Sequence, residues 1–246
     1  MVYVAERICG ICSFMHGMGY FEVVEHIMHV DVPARAKYLR TLWCEMSRLH
    51  SHLLWLGLLA DAFGFESLFM QSWRMREKIL DMFEASTGGR VIFSVNRIGG
   101  VLKDIPPEML RDFLKRFDEM SADLHRLTRT FLEDYSVNER LRDVGFLTKE
   151  QALSLGAVGP MLRASGVCYD VRKTGYAAYG DLEIEPVIST IGDSYARCQV
   201  RIGELFQSLD LIRQIGEKMP AGPIAVPVKG NPEGEFFMRC EQPRGE

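Results

Sequence analysis

Four long stretches of this sequence repeat apolar residues every three or four positions, which places those residues on one face of an α-helix. The stretches cover about residues 33–63, 66–86, 107–131 and 188–212. Pro33 stands at the start of the first, where proline suits the first helical turn, and Gly88 follows the second. Long amphipathic helices with short connections indicate a bundle, so we predict a mainly α fold with small β and loop excursions.

The apolar stripes of these helices predict the core. The stripe of the first helix consists of Leu39, Leu42, Met46, Leu49, Leu53 and Leu56. The stripe of the third consists of Leu110, Phe113, Phe117, Met120, Leu124, Leu127 and Phe131. The stripe of the last consists of Ile188, Ile191, Tyr195, Cys198, Ile202, Leu205, Leu209 and Ile212.

Other segments interrupt the helical pattern. Residues 90–101 mix β-branched residues with glycines, as in a loop or short hairpin, and residues 156–180 form a long Gly-, Arg- and Tyr-rich candidate functional loop. Pro and Gly over 219–234 predict a linker, and residues 234–240 alternate like a strand. That strand has no evident partner, so we expect a single domain over 1–246 that is truncated at both ends.

Composition excludes several classes of protein. The formal net charge of −4 gives no basic field for nucleic acid. The longest apolar run, from Leu53 to Ala60, is far shorter than the stretch of about 20 residues that spans a bilayer. Six cysteines without the spacing of a disulfide scaffold, and no signal peptide, favour a reducing compartment.

The motif with the clearest chemistry is Cys9-Gly10-Ile11-Cys12, followed by His16. Two thiols at this spacing can bind a thiophilic metal, exchange with a disulfide, or serve only as structural residues. A metal held by protein thiolates alone usually takes four, and the chain has no second pair, so the motif is half a site. Since His16 lies four residues after Cys12, it would share a helical face with that sulfur and could hydrogen-bond it.

Charged and polar residues on the first two helices leave two interpretations open. A solvated face is the usual explanation, whereas central helices would turn the same residues into buried ion pairs and possible proton relays. The residues concerned are Arg35, Arg40, Glu45, Arg48, Arg74, Arg76 and Glu77. His50 and His52 face different sides of a helix and are interpreted as packing residues. The isolated cysteines are interpreted as small core residues; they are Cys44, Cys168, Cys198 and Cys240.

The motif and several later blocks resemble [NiFe]-hydrogenase large subunits, especially those of energy-converting membrane-bound hydrogenases. Their relative, the 49 kDa-type quinone-site subunit of respiratory complex I, is similar as well. The blocks are residues 7–13 with His16, 32–40, 48–53, 73–77, 96–101, 159–166 and 243–245. They cover nearly the whole chain, so the resemblance implies a [NiFe]-hydrogenase large-subunit-like fold and a missing C-terminal cysteine pair.

The resemblance implies a role for each residue of the motif. Cys9 and Cys12 would be two of four nickel ligands, and Cys12 would bridge nickel to an iron that carries cyanide and carbon monoxide. His16 would lie beside the bridging sulfur. The resemblance therefore implies that the catalytic residues of this chain are Cys9, Cys12 and His16. The implied partners are a small iron–sulfur subunit and membrane ion-translocating subunits, with this chain peripheral on the cytoplasmic face of the membrane.

Two alternatives to hydrogenase activity are kept. Complex I counterparts lack the nickel cysteines and carry a quinone-binding tyrosine at the position of Gly10, so an NADH:quinone oxidoreductase-type subunit fits the motif less well. Some relatives keep a few cysteines without hydrogenase activity. The other alternative is a non-catalytic structural fragment, because two thiolates alone should not retain a stable nickel–iron centre.

Overall fold

A computed structural model describes residues 2–246. The α-helices are α1 (Val2–Ala5), α2 (Ser13–Ile27), α3 (Ala34–Ala62), α4 (Glu66–Thr87), α5 (Pro107–Glu133), α6 (Tyr135–Leu141), α7 (Lys149–Ser154), α8 (Gly159–Arg163) and α9 (Ser194–Lys218). Short 3₁₀ helices cover Glu6–Ile8, Val171–Thr174 and Tyr179–Asp181. Two short strands, β1 (Asn96–Arg97) and β2 (Gly100–Val101), pair as an antiparallel hairpin. The mainly α prediction is confirmed.

Helix α3 is the centre of the fold. It packs against α2, α4 and α9, and 21 of its 29 residues are buried. Its predicted stripe lies in the core, as does that of α5. A helix enclosed on several sides must bury its polar residues too, and this places charged side chains inside the bundle.

The last helix begins later than its apolar spacing predicts. Ile188 and Ile191 are 45% and 42% exposed and precede α9, so their assignment to the helix is wrong. Asp193 caps the helix, since its carboxylate accepts a hydrogen bond of 2.7 Å from the amide of Ala196. Gly192 just before the cap has a positive φ of 83°, which also stops a helix from extending upstream.

Part of the Pro- and Gly-rich region 219–234 pairs with the hairpin as a third segment. The amide of Val101 donates to the Ile224 carbonyl at 2.9 Å, and the amide of Val226 donates to the Gly99 carbonyl at 2.9 Å. Residues 234–240, by contrast, contain no strand in the described structure, so that prediction is wrong. The segment has the alternation of a strand, but its backbone forms no strand pairing in the described structure.

Replacing Gly100 with alanine tests this three-segment arrangement. Gly100 has a φ of +145°, and a methyl group there would lie 2.7 Å from the Cα of Ala225. We expect a loss of about 3 kcal/mol in the free energy of unfolding, measured by urea titration. Gly64→Ala is the control, because its φ is +75° with nothing within 4 Å; it should cost about 1 kcal/mol. Equal losses for the two variants would contradict the close approach.

In the described part of the chain, no helix combines the length and apolar character needed to span a membrane.

Candidate metal centre

Cys9, Cys12 and His16 come together at the start of α2. Cys9 follows the 3₁₀ turn of Glu6–Ile8, Cys12 directly precedes α2, and His16 lies one turn into that helix. One ligand atom from each of the three lies within 4.8 Å of the others. Cys12 Sγ is 3.5 Å from His16 Nε2, so the predicted contact between these two side chains is confirmed.

The two thiols differ in acidity. Burial raises the pKa of Cys12 to about 12, and the neighbouring Cys9 contributes to this rise. Burial also opposes ionisation of Cys9, but hydrogen bonds from Cys12 and from the Ile11 amide outweigh it and lower its pKa. Arg244 favours ionisation of both thiols. The pair therefore combines a thiol that ionises more easily than a free cysteine with a shielded thiol that a bound cation would deprotonate.

These donors fit half of a four-thiolate site for a soft metal. Cys12 is only 5% exposed and Cys9 is half-buried, so both sulfurs are partly shielded from water. Burial lowers the pKa of His16, which favours the neutral imidazole beside them. Two sulfur donors next to a neutral imidazole favour a soft metal such as nickel over a hard cation such as magnesium.

The loop between the cysteines is held by α3. His50 Nε2 lies 3.0 Å from the Ile11 carbonyl, and Arg76 Nε donates to His50 Nδ1 at 3.1 Å. Burial and the Arg76 charge lower the pKa of His50 to about 4, so the ring is neutral with its Nε2 proton directed at Ile11. His50 therefore positions the cysteine loop through a hydrogen bond, in addition to the packing role that the sequence predicted.

His52, two residues on, faces a different partner, as its helical spacing predicts. Its Nε2 lies 2.7 Å from a carboxylate oxygen of Glu204 on α9. Burial lowers the pKa of His52 to about 4. Burial also opposes ionisation of Glu204, but His52 and Arg163 outweigh it and lower the pKa of that carboxyl. The contact is thus a neutral imidazole donating to a buried carboxylate.

Around α3 lies what we call the buried ionic cluster, whose members are Glu45, Arg48, Arg163, Asp170, Arg172 and Glu204. Arg172 lies 3.3 Å from Glu45 and 2.7 Å from Asp170, and Arg163 lies 2.7 Å from Glu204. The solvated-face interpretation is therefore wrong for Glu45 and Arg48, and the buried alternative is confirmed. Half of the members come from the predicted functional loop of residues 156–180.

The remaining charged residues divide between the two interpretations. Arg40 is buried and holds Glu25 through contacts of 2.7 and 2.8 Å. Arg76 is buried, which the solvated-face interpretation does not predict. Arg74 and Glu77 are exposed, as that interpretation predicts. Arg35 is half-buried and pairs with Asp104 at the surface.

Sequence reasoning missed two buried acidic partners of Arg163, which are Glu204 and Glu241. Glu204 lies inside the apolar rhythm of α9 between Ile202 and Leu205, and that position was a usable signal. Glu241, which pairs with Arg163 at 2.9 Å, lies outside the helices and strands. A residue in such a segment has no periodicity, so no sequence signal marks Glu241.

The isolated cysteines follow their predicted role only in part. Cys44 and Cys198 are buried core residues, as predicted. Cys168 is exposed, so the core interpretation is wrong there, because it follows α8 in a surface loop. Cys240 is half-buried, and its Sγ lies 3.8 Å from the carbonyl of Met15 on α2.

A charged cleft of about 620 Å³ lies between α2, the start of α3 and the chain before Cys240. Its lining includes Glu22, Glu25, Lys37, Arg40 and Arg239. Glu22 is only 8% exposed, and burial raises its pKa to about 7 despite the nearby Arg40 charge. Between about pH 4.5 and pH 7, the folded protein therefore holds a proton on Glu22 that the unfolded chain would release.

Glu22 predicts a pH dependence of stability. Its pKa rises from 4.5 to about 7 on folding, so its contribution is complete below pH 4.5 and disappears as the pH rises through 7. We expect Glu22→Gln to raise the free energy of unfolding at pH 8 by about 3 kcal/mol but to change it little at pH 4. Urea titrations at both pH values measure this, with exposed Glu217→Gln as the control. A Glu22→Gln variant less stable than wild type at pH 8 would contradict the assignment.

Comparison with known families divides the chain in two. Residues 1–61 match the family described as "Nickel-dependent hydrogenase", and residues 62–231 match "Respiratory-chain NADH dehydrogenase, 49 Kd subunit". The first match contains all three residues of the candidate metal centre. The second contains most of the buried ionic cluster.

Two curated relatives match the full length of this chain. The whole chain is 40% identical to 62% of the "Membrane-bound hydrogenase subunit alpha" of Pyrococcus furiosus. It is 37% identical to 68% of the D subunit of the F(420)H(2) dehydrogenase of Methanosarcina mazei. The chain thus spans about two thirds of the length of these curated relatives.

A solved structure confirms the fold. It is described as "Structure of the membrane-bound sulfane sulfur reductase (MBS), an archaeal respiratory membrane complex". It matches with a TM-score of 0.88 and 34% identity over 92% of this chain and 62% of that chain.

Proposed function

The chain belongs to the family that joins [NiFe]-hydrogenase large subunits with the 49 Kd subunit of respiratory NADH dehydrogenase, and we propose that it is part of the catalytic large subunit of a membrane-associated [NiFe]-hydrogenase. The reaction would interconvert protons, electrons and hydrogen. The convergence of Cys9, Cys12 and His16 within 4.8 Å carries the proposal. Its relatives are subunits of oxidoreductases.

Each residue of the centre has a distinct task in this proposal. Cys9 and Cys12 would hold nickel as thiolates, and Cys12 would also contact an iron that carries cyanide and carbon monoxide. When bound, this group supplies the redox chemistry of hydrogen activation. His16 places an imidazole beside Cys12, and His50 fixes the loop that carries both sulfurs.

The charge around the thiols supports metal binding. Arg244 lowers the cost of ionising both cysteines, and the proton of each thiol must leave when a metal binds. Residues 1–246 contribute two of the four thiolates, so we expect the other two from a second cysteine pair in a longer chain.

The partners belong to the same proposal. The Pyrococcus furiosus hydrogenase subunit and the sulfane sulfur reductase complex are both described as membrane-bound, which supports association of this chain with membrane subunits. A small subunit with an iron–sulfur cluster would exchange electrons with the centre, and ion-translocating subunits would hold the complex on the cytoplasmic face of the membrane.

A second candidate is reduction of another acceptor, such as a quinone or sulfane sulfur. The observation that favours it is the match of residues 62–231 to the NADH dehydrogenase subunit, together with the TM-score of 0.88 to a sulfane sulfur reductase complex. The cysteine pair and Gly10 argue for the hydrogenase, because glycine has no side chain with which to bind a quinone headgroup.

The two candidates are separated by assays on the purified membrane complex with a full-length chain. We expect hydrogen evolution from a reduced viologen dye, and we expect it to disappear in Cys9→Ser. The exposed Cys168→Ser variant is the matched control. Saturable binding of a quinone analogue, or sulfide release from polysulfide, without hydrogen evolution would overturn the hydrogenase proposal.

A further inference from the structure

His16 lies between two side chains that contact its two ring nitrogens. On one side, Nε2 is 3.5 Å from Cys12 Sγ. On the other, Nδ1 is 3.4 Å from the amide nitrogen Nε2 of Gln242. The imidazole therefore connects a proposed metal ligand to a residue 226 positions further along the chain.

The chemistry of the amide decides which ring nitrogen carries the proton. An amide nitrogen donates two hydrogens and has no free lone pair, so the ring nitrogen that faces it must accept. Nδ1 is then unprotonated, and a neutral imidazole must carry its proton on Nε2. That proton is directed at the sulfur of Cys12.

We propose that Gln242 is a positioning residue that fixes His16 as the Nε2–H tautomer and thereby directs a hydrogen-bond donor at Cys12 Sγ. The consequence for a metal rests on the proposed function, because a donor to a thiolate lowers the electron density that the sulfur gives its metal. The tautomer itself does not depend on any metal.

Gln242 is held firmly enough to act in this way. Arg48 of the buried ionic cluster donates to the carbonyls of Glu241 and Gln242 at 3.0 and 3.3 Å. The backbone of Gln242 also exchanges two hydrogen bonds with Gly245, at 3.0 and 3.2 Å. The cluster thus connects to the candidate metal centre through the segment 241–242.

The opposite orientation of the amide would reverse the hydrogen bonding. If Oε1 faced His16, Nδ1 would carry the proton and the Nε2 lone pair would accept from the Cys12 thiol. In the structure it is the amide nitrogen Nε2 that faces Nδ1 of His16, at 3.4 Å, which is the donor orientation.

Nitrogen NMR of the metal-free, ¹⁵N-histidine-labelled full chain at pH 8 measures the tautomer directly. The chain has six histidines, and the His16→Gln variant identifies the signals of His16. We expect wild type to show the Nε2–H pattern. Gln242→Met should shift the tautomer ratio by roughly fivefold to tenfold toward Nδ1–H. Gln242→Glu, which can only accept, should make Nδ1–H dominant.

A matched control is Gln71→Met, because Gln71 is exposed on α4; it should leave the pattern unchanged. Gln242→Glu keeps the side-chain size, so it remains informative if Gln242→Met fails to fold. An Nδ1–H pattern in wild type, or a wild-type pattern in Gln242→Glu, would overturn the inference. Neither result depends on nickel content, so failure here is distinguishable from failure of the proposed hydrogenase function.

Discussion

Replacing Glu45 with glutamine is expected to lower the free energy of unfolding by about 3–5 kcal/mol. Glu45 is fully buried, and its carboxylate accepts from Tyr179 at 2.6 Å and from Ser208 at 2.7 Å. Burial raises its pKa, but Arg48 and Arg172 lower it by more, so the side chain is ionised. The neutral amide would leave these two buried guanidinium groups without their shared anion.

Urea titration at pH 7 measures this loss as a lower midpoint at unchanged slope. Glu84→Gln is the matched control: Glu84 is exposed, and its partner Arg90 also pairs with Glu77 and Asp81. We expect its midpoint to equal that of wild type. A Glu45→Gln variant as stable as this control would show that the buried ionic cluster does not hold the fold together.

Replacing Cys12 with serine is expected to reduce the nickel content of the full-length protein by more than about tenfold. A serine hydroxyl is a hard donor that keeps its proton at neutral pH, so it should hold a soft metal far less tightly than a thiolate does. Inductively coupled plasma mass spectrometry of protein produced with its maturation proteins measures the content.

Cys168→Ser serves as the control for this loss, because Cys168 is exposed and distant in sequence from the motif. It should retain the wild-type amount of nickel. Nickel that persists in Cys12→Ser but is lost in Cys168→Ser would place the metal elsewhere in the protein.

The sequence predicted those parts of the fold that local chemistry decides. Proline and glycine mark the ends of α3 and α4, and the predicted bounds agree with the structure to within one or two residues. The contact between Cys12 and His16 was predictable for the same reason, since a spacing of four residues on one helix brings side chains together.

Contacts between distant segments could not be predicted in this way. Glu45 meets Arg172 across 127 positions, and nothing in the spacing of either residue indicates the other. An apolar stripe shows which face of α3 is buried but not that the opposite face is covered as well. The charged residues of that second face therefore resembled a solvated surface.

The two wrong element assignments have different causes. Residues 234–240 alternate like a strand, but a strand forms only where a neighbouring backbone supplies hydrogen bonds. Ile188 continues the spacing of α9, yet the cap at Asp193 starts the helix later. Tertiary structure therefore decided the first case, and a local cap that the apolar spacing does not reveal decided the second.

The most direct test of the central claim is the nickel content of the full-length wild-type protein, produced with its maturation proteins and measured by mass spectrometry. A site completed by four thiolates predicts close to one nickel per chain, carried in part by Cys9 and Cys12. Protein that is folded and assembled but contains no nickel would contradict the hydrogenase assignment. The two cysteines would then belong to a subunit that reduces another acceptor.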